Sequence, residues 1–215
     1  MKATGRDHES LAGVARATGG AFLAADLSRG DDVDRLAEWA GPVDLLVNNA
    51  GVGWAGMFSQ MEPSRTEELV RVNLLAPIRL AELLLPGMLE RGAGHIVNVA
   101  SIAGHVGVRQ EAVYSATKAG LIGFSESLRY EVAGSGVGVS VVAPGVVDTA
   151  FFDRAGRPYG RSFPRLIGAD RVARAIVRAV ERNRAEVFVP RWMAVPALLR
   201  GAMPGLYRSL AARFG

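Results

Sequence analysis

At 215 residues the chain is sized for one domain, since domains commonly run to about 150 residues. Its 49% hydrophobic and 21% charged residues, with a mean hydropathy of +0.18, supply a core and exclude a disordered chain. The absence of cysteine excludes disulfides, thiolate metal sites and a cysteine nucleophile. Only His8, His95 and His105 are left as nitrogen ligands, so no metal site is expected. No run approaches about 18 uninterrupted apolar residues and the first residues carry no apolar leader core, so a cytoplasmic protein is the expectation. The net charge of +4 is uneven: residues 1–150 hold 12 basic and 17 acidic residues, and residues 151–215 hold 13 and 4.

Short β-branched runs alternate with longer segments of helical period, the pattern of an α/β fold with a doubly wound parallel sheet. Strands are expected over 1–5, 20–25, 43–48, 94–100, 137–143 and 185–190. Helices are expected over 8–18, 30–39, 64–91, 110–133 and 169–183. Glycine and proline pairs such as Gly19-Gly20, Gly41-Pro42 and Pro144-Gly145 punctuate the joints. Residues 151–168 have no period and read as a long loop, a class that is usually functional or mobile. Residues 1–190 form one domain in this reading, followed by a basic, apolar extension over 191–215.

Chemistry concentrates in Tyr114-Ser115-Ala116-Thr117-Lys118, inside a helical run. Residues four apart share a helix face, so phenol and ammonium point the same way, and the cation is expected to lower the tyrosine pKa toward neutrality. An exposed helix pair is the plain alternative. Ser101 ends the apolar run Asn98-Val99-Ala100, where open α/β sheets place their ligand crevice, although a turn serine reads the same way. Asn48-Asn49-Ala50-Gly51 ends the run 43–47 with small residues that let a ligand approach the backbone, or that simply make a turn.

Taken together, Asn48-Asn49-Ala50-Gly51, Arg71-Val72-Asn73-Leu74, Ser101, the Tyr114/Lys118 pair and Pro144-Gly145-Val146-Val147-Asp148-Thr149 closely resemble the short-chain dehydrogenase/reductase family, in order and in approximate spacing, over Met1 to about Pro190. The resemblance implies a Rossmann-like fold and a nicotinamide-dependent oxidoreductase that interconverts an alcohol and a ketone or aldehyde. It implies that Tyr114 is the general acid/base, that Lys118 lowers its pKa and binds the nicotinamide ribose, that Ser101 orients the reacting oxygen, and that Asn73 holds the water of a proton relay. It also places Asp26 and Leu27 at the adenine, Asn49, Ala50 and Gly51 along the adenosine, and Pro144, Gly145 and Thr149 near the carboxamide.

Arg6, just past the first expected strand, can accept a 2′-phosphate and tilts the choice to NADP over NAD, while Asp7 reads as a helix N-cap rather than a ribose ligand. The family's glycine-rich phosphate turn would fall before Met1, with the first strand and first helix of the fold. Gly51-Val52-Gly53-Trp54-Ala55-Gly56 follows the wrong strand to replace it. The remaining strands are then expected either to close up, with 1–5 beside 43–48, or to leave a cleft. A non-catalytic relative that keeps the active-site residues but binds dinucleotide poorly is the alternative function.

Phe151, Phe152, Tyr159 and Phe163 suggest apolar bulk in a small-molecule substrate, or packing of the loop on its own domain. The segments 64–91 and 110–133 resemble helices that pair in homodimers and homotetramers, with Leu80, Leu83 and Leu84 on one stripe that core packing also explains. The arginines of the C-terminal region alternate with apolar residues and lack an aromatic platform, which favours a solvated face over nucleic acid. Residues 191–214 mix Arg200, Arg208 and Arg213 with apolar bulk. They read as a cap on the cleft or on a neighbouring subunit, or else as a segment on an anionic membrane surface, with Pro196 and Pro204 expected to interrupt a helix there.

Overall fold

In the computed structural model residues 1–156, 158–160 and 163–214 are described, without the side chains of 212–214. The chain runs β1 (Lys2–Gly5), α1 (His8–Thr18), β2 (Ala21–Ala24), α2 (Gly30–Ala40) and β3 (Leu45–Asn48), then α3 (Pro63–Val70), a π-helical turn (Arg71–Leu75) and α4 (Ala76–Arg91). It continues with β4 (Gly94–Val99), α5 (Ile102–Val106), α6 (Ala112–Glu131), β5 (Val137–Pro144), β6 (Val147–Asp148), α7 (Phe151–Arg154) and β7 (Ile167–Gly168). The last elements are α8 (Ala169–Glu181), β8 (Glu186–Val189), α9 (Ala194–Ala202) and α10 (Pro204–Phe214).

Local chemistry sets the joints. The Asp7 carboxylate accepts from the Ser10 amide at 2.6 Å and starts α1, as its N-cap reading requires. Gly19 and Gly92 close α1 and α4 in the left-handed region, each at φ 62°. The helical segment breaks at Met203, with Pro204 at the first position of α10, as expected, whereas Pro196 is accommodated in the first turn of α9 without interrupting it. The loop over 151–168 contains the short α7, and its base is clasped by parallel pairing of β6 with β7. Arg157, Arg161 and Ser162 of that loop lie outside the described residues.

β3, β4, β5 and β8 form one parallel sheet in that order. One face buries Ile96, Val137 and Val139 under α4 and α6, through Ala81, Met88, Leu128 and Val132. The other buries Val97, Val142 and Val189 under Val172, Ala175 and Ala179 of α8. Such two-sided burial explains why β4 and β5 read as continuous apolar runs. The 63–91 helix is long and apolar enough to cross a membrane by composition, with a mean hydropathy of 1.4, but Leu69, Val72, Ala76, Leu80 and Met88 are buried in the core. Leu80 and Leu84 pack against α2, so that stripe is core and only Leu83 is exposed.

β1 and β2 pair with each other in a separate two-stranded sheet. Of the two arrangements expected from the sequence, the chain takes the cleft: β1 does not join β3. The halves are tied by α2, whose Val33, Leu36 and Ala37 pack with Leu23 of β2, Leu46 of β3 and Leu80 of α4. Lys2 adds a clamp by donating to the carbonyl oxygens of Trp39 and Ala40. Alternation puts Leu45 and Val47 on the opposite face from Leu46, the face of Val97, but beyond the cover of α8. They are 44% and 37% exposed, whereas β5 is buried along its whole length.

Candidate active site

The carboxyl ends of β3, β4 and β5 converge with the first turns of α6, the place where parallel sheets offer ligands room. Ser101 leaves β4 in an extended conformation and caps α5, its Oγ accepting from the Ala103 amide at 3.1 Å. α5 was not expected from sequence, and it seats directly on α6 at Gly104, where a Cβ would lie 2.7 Å from the Lys118 carbonyl carbon. Tyr114 and Lys118 stand one turn apart on α6. The Lys118 Nζ is 5.8 Å from the Tyr114 ring centroid and donates to the Val99 carbonyl at 2.9 Å.

This geometry overturns the expected lowering of the tyrosine pKa. Burial pushes the Tyr114 phenol up; its hydrogen bond with the Ser101 hydroxyl pulls down, and the Glu111 charge adds to the rise. Burial also lowers Lys118 from 10.5 to about 8. The Lys118 ammonium is itself desolvated and shared with a backbone carbonyl.

Asn73 sits in the π-helical turn, fully buried. Its Oδ1 accepts from the Val52 amide at 2.9 Å, and its Nδ2 donates to the Val52 carbonyl at 2.9 Å and to Thr117 Oγ1 at 3.3 Å. Asn73 thus ties the segment after β3 to α6, a positioning role the sequence did not disclose. The exposed turn Asn49-Ala50-Gly51 lies beside it: a Cβ on Gly51 would come within 3.3 Å of Asn73 Oδ1 and 3.6 Å of Lys118 Nζ.

Arg6 and Asp26 meet at the carboxyl ends of β1 and β2. The Asp26 carboxylate accepts from the Ser28 amide and hydroxyl at 3.0 and 2.8 Å, which holds its pKa down, and the Arg6 charge adds to this. Arg6 itself lies 3.7 Å from Glu68. Leu27, partly buried, packs its side chain against the α2–α4 cluster. Pro144 is buried at the end of β5, the Gly145 amide donates to the Val189 carbonyl at 2.8 Å, and Thr149 Oγ1 accepts from the Phe151 amide at 3.4 Å.

Two features went beyond the sequence reading, the second of them built from aromatic residues it had named. Asn48 Nδ2 donates to Asn98 Oδ1 at 2.8 Å, and Asn98 Nδ2 donates to Ser125 Oγ, which bonds the Leu121 carbonyl at 2.6 Å. This buried chain locks β3, β4 and α6 together, and a serine recurring on an apolar helix face was its signal. The second is an aromatic wall: Phe151 lies 5.5 Å from Tyr114, with Phe152 and Tyr159 beyond it. Gly53 lies against it, since a Cβ there would meet Phe151 at 2.5 Å.

Residues 2–159 match the family model described as short chain dehydrogenase. The chain belongs to the short-chain dehydrogenase/reductase family. It is 42% identical over 160 residues to the ketoacyl reductase HetN of Nostoc sp., a match covering 73% of this chain and 55% of HetN. It is 39% identical over 150 residues to the 3-oxoacyl-[acyl-carrier-protein] reductase FabG of Escherichia coli, covering 67% and 62%. The chain therefore spans little more than half the length of these curated relatives. A short-chain dehydrogenase from Sphingobium yanoikuyae in complex with NADPH superposes with a TM-score of 0.81 at 28% identity, covering 95% of this chain and 85% of that one. One from Burkholderia phymatum in complex with NAD gives 0.84 at 27%, with the same coverages. These likenesses agree with the Rossmann-like parallel sheet flanked by helices.

Proposed function

We propose that this chain is an NADP-dependent oxidoreductase that interconverts a ketone or aldehyde and the corresponding alcohol, with the Tyr114 hydroxyl as the proton-carrying group. The observation that carries the reading is the convergence of Ser101 and Lys118 on Tyr114 at the carboxyl edge of the sheet. The nicotinamide end of a dinucleotide fits the residues present, because the Gly51 backbone is open beside Lys118 in a space that a Cβ would fill. Lys118 and Tyr114 would hold the ribose, the turn 49–51 and Thr149 would flank the nucleotide, and Arg6 would meet a 2′-phosphate. Bound there, the group supplies the hydride chemistry.

The chain's own residues handle the oxygen and its proton. A carbonyl oxygen placed between Ser101 and Tyr114 accepts from both hydroxyls, and Tyr114 passes its proton to that oxygen as charge develops. With its pKa raised the phenol is protonated at neutral pH, so Tyr114 has a proton to donate when a carbonyl is reduced. The Lys118 ammonium then stabilises the phenolate left behind. As Lys118 loses its charge above about pH 8, reductive turnover falls. Phe151 beside Tyr114 gives an apolar substituent a surface to lie on, and the ketoacyl reductases among the relatives support 3-oxoacyl thioesters as substrates.

The cleft beside β3 favours a second reading, in which the site is kept but the dinucleotide is held weakly, because unjoined strand edges offer no rigid cradle to its phosphates. Titration calorimetry with NADPH separates the two: micromolar affinity supports the first. NADPH oxidation with acetoacetyl thioesters and apolar ketones tests the chemistry, and near-wild-type turnover in Tyr114→Phe would remove Tyr114 from the mechanism. We also propose a homodimer or homotetramer, to be checked by sedimentation velocity.

A further inference from the structure

The C-terminal helices have two unlike sides. Inward, Arg200 donates to the His105 carbonyl and the Tyr207 hydroxyl to the Val106 carbonyl at 3.4 Å, so α9 and α10 cap α5, the segment that follows Ser101. Outward, Val195 and Leu198 of α9 are 62% and 70% exposed, and Met203, Leu206 and Leu210 form a further exposed apolar set at helical spacing. Trp192, stacked on Phe163 at 5.4 Å, is exposed at the entry to α9. No acidic residue follows Glu186 in the chain.

A groove of about 620 Å³ between α8 and the edge strand β8 adjoins the start of α9. Arg171, Arg174, Arg178, Arg182, Arg184 and Arg191 line it. Of the carboxylates nearby, Glu186 is 2.8 Å from His105 Nε2 and Asp170 is paired with Arg174, and Glu181 stands on α8 between Arg178 and Arg182.

We infer that the outward faces of α9 and α10, with the arginine groove beside them, dock the protein on an anionic lipid bilayer. Apolar side chains flanked by arginine and free of carboxylate suit insertion at the headgroup boundary, with the arginines held at the negatively charged surface. A second copy of the chain is the poorer occupant: a two-fold contact sets the same patch against itself, six arginines facing six, with too few carboxylates to answer them. The capping and membrane roles distinguished in the sequence thus fall on opposite sides of the same two helices.

The test is cosedimentation of the full chain with vesicles of phosphatidylcholine alone or mixed equally with phosphatidylglycerol. Binding is expected to the mixed vesicles only and to weaken with added salt. Leu198→Glu with Leu206→Glu, both at exposed positions, should lower the partition coefficient at least about tenfold with an unchanged melting curve. Arg171→Gln and Arg178→Gln should each lower it about fivefold. Equal binding to neutral vesicles, or undiminished binding of the double leucine variant, would overturn the proposal. If sedimentation equilibrium without lipid shows that the double variant breaks an oligomer, the face is instead a contact between copies.

Discussion

Replacing Lys118 with methionine should stabilise the protein near neutral pH while removing its activity. Lys118 is only 4% exposed, and burial lowers its pKa from 10.5 to about 8. That drop corresponds to about 3 kcal/mol by which the folded state disfavours the charged lysine. Methionine fills similar volume without charge and relieves this cost, but it forfeits the bond to the Val99 carbonyl, worth about 1–2 kcal/mol. The net expectation is about 1–2 kcal/mol of added stability at about pH 7. Because the folded pKa lies below the unfolded value, the unfolded chain binds more protons between pH 8 and 10.5. Wild-type stability therefore rises with pH through that window, and the advantage of the variant fades. Urea unfolding followed by tryptophan fluorescence, from about pH 7 to about 10, where tyrosines begin to ionise, would measure both curves. A variant less stable than wild type near pH 7, with curves that stay parallel to about pH 10, would refute the reasoning.

Asn98→Ala should cost about 2–4 kcal/mol in the same assay, because it strands the buried Asn48 amide donor and removes the bond that Ser125 accepts; a loss below about 1 kcal/mol would show that the chain of bonds is not structural. Gly136→Ala should cost at least about 2 kcal/mol, since Gly136 has φ 83° and a Cβ would overlap the Gly92 carbonyl oxygen, whereas Gly13→Ala in α1 meets nothing and should add about 0.5–1 kcal/mol. Arg6→Ala should weaken NADP binding about tenfold and spare NAD, while Glu68→Gln, which frees Arg6, should tighten NADP; equal losses for both cofactors in Arg6→Ala would end that assignment.

Local patterns carried far in this chain. Periodicity located every strand of the main sheet and the long helices, because two-sided burial of a parallel sheet writes continuous apolar runs into β4 and β5 that β1's short KATG run could only hint at. Tyr114 and Lys118 were legible as a pair because one helical turn separates them, and Ser101 because it ends an apolar strand, but the approach of Ser101 to Tyr114 comes from the packing of α5 on α6. Asn73 was singled out through its motif but not for its bonds to Val52 and Thr117, since partners 21 and 44 positions away are placed by packing and not by period.

Only the tertiary structure decided the electrostatics and the connections. The tyrosine–lysine spacing is the same whether the pair is wet or dry, and it is burial that raises Tyr114 and lowers Lys118. Whether β1 would pair with β3 depended on how α2 packs across both halves, a contact among residues with no common local signal. The basic, apolar C-terminal segment likewise has one composition but two sides, and which residues cap α5 and which face solvent was set by how two short helices dock. Sequence thus specified the elements and the reacting groups through short-range geometry, and the fold determined their protonation, their partners and the surface left free, because those depend on what long-range packing removes from water.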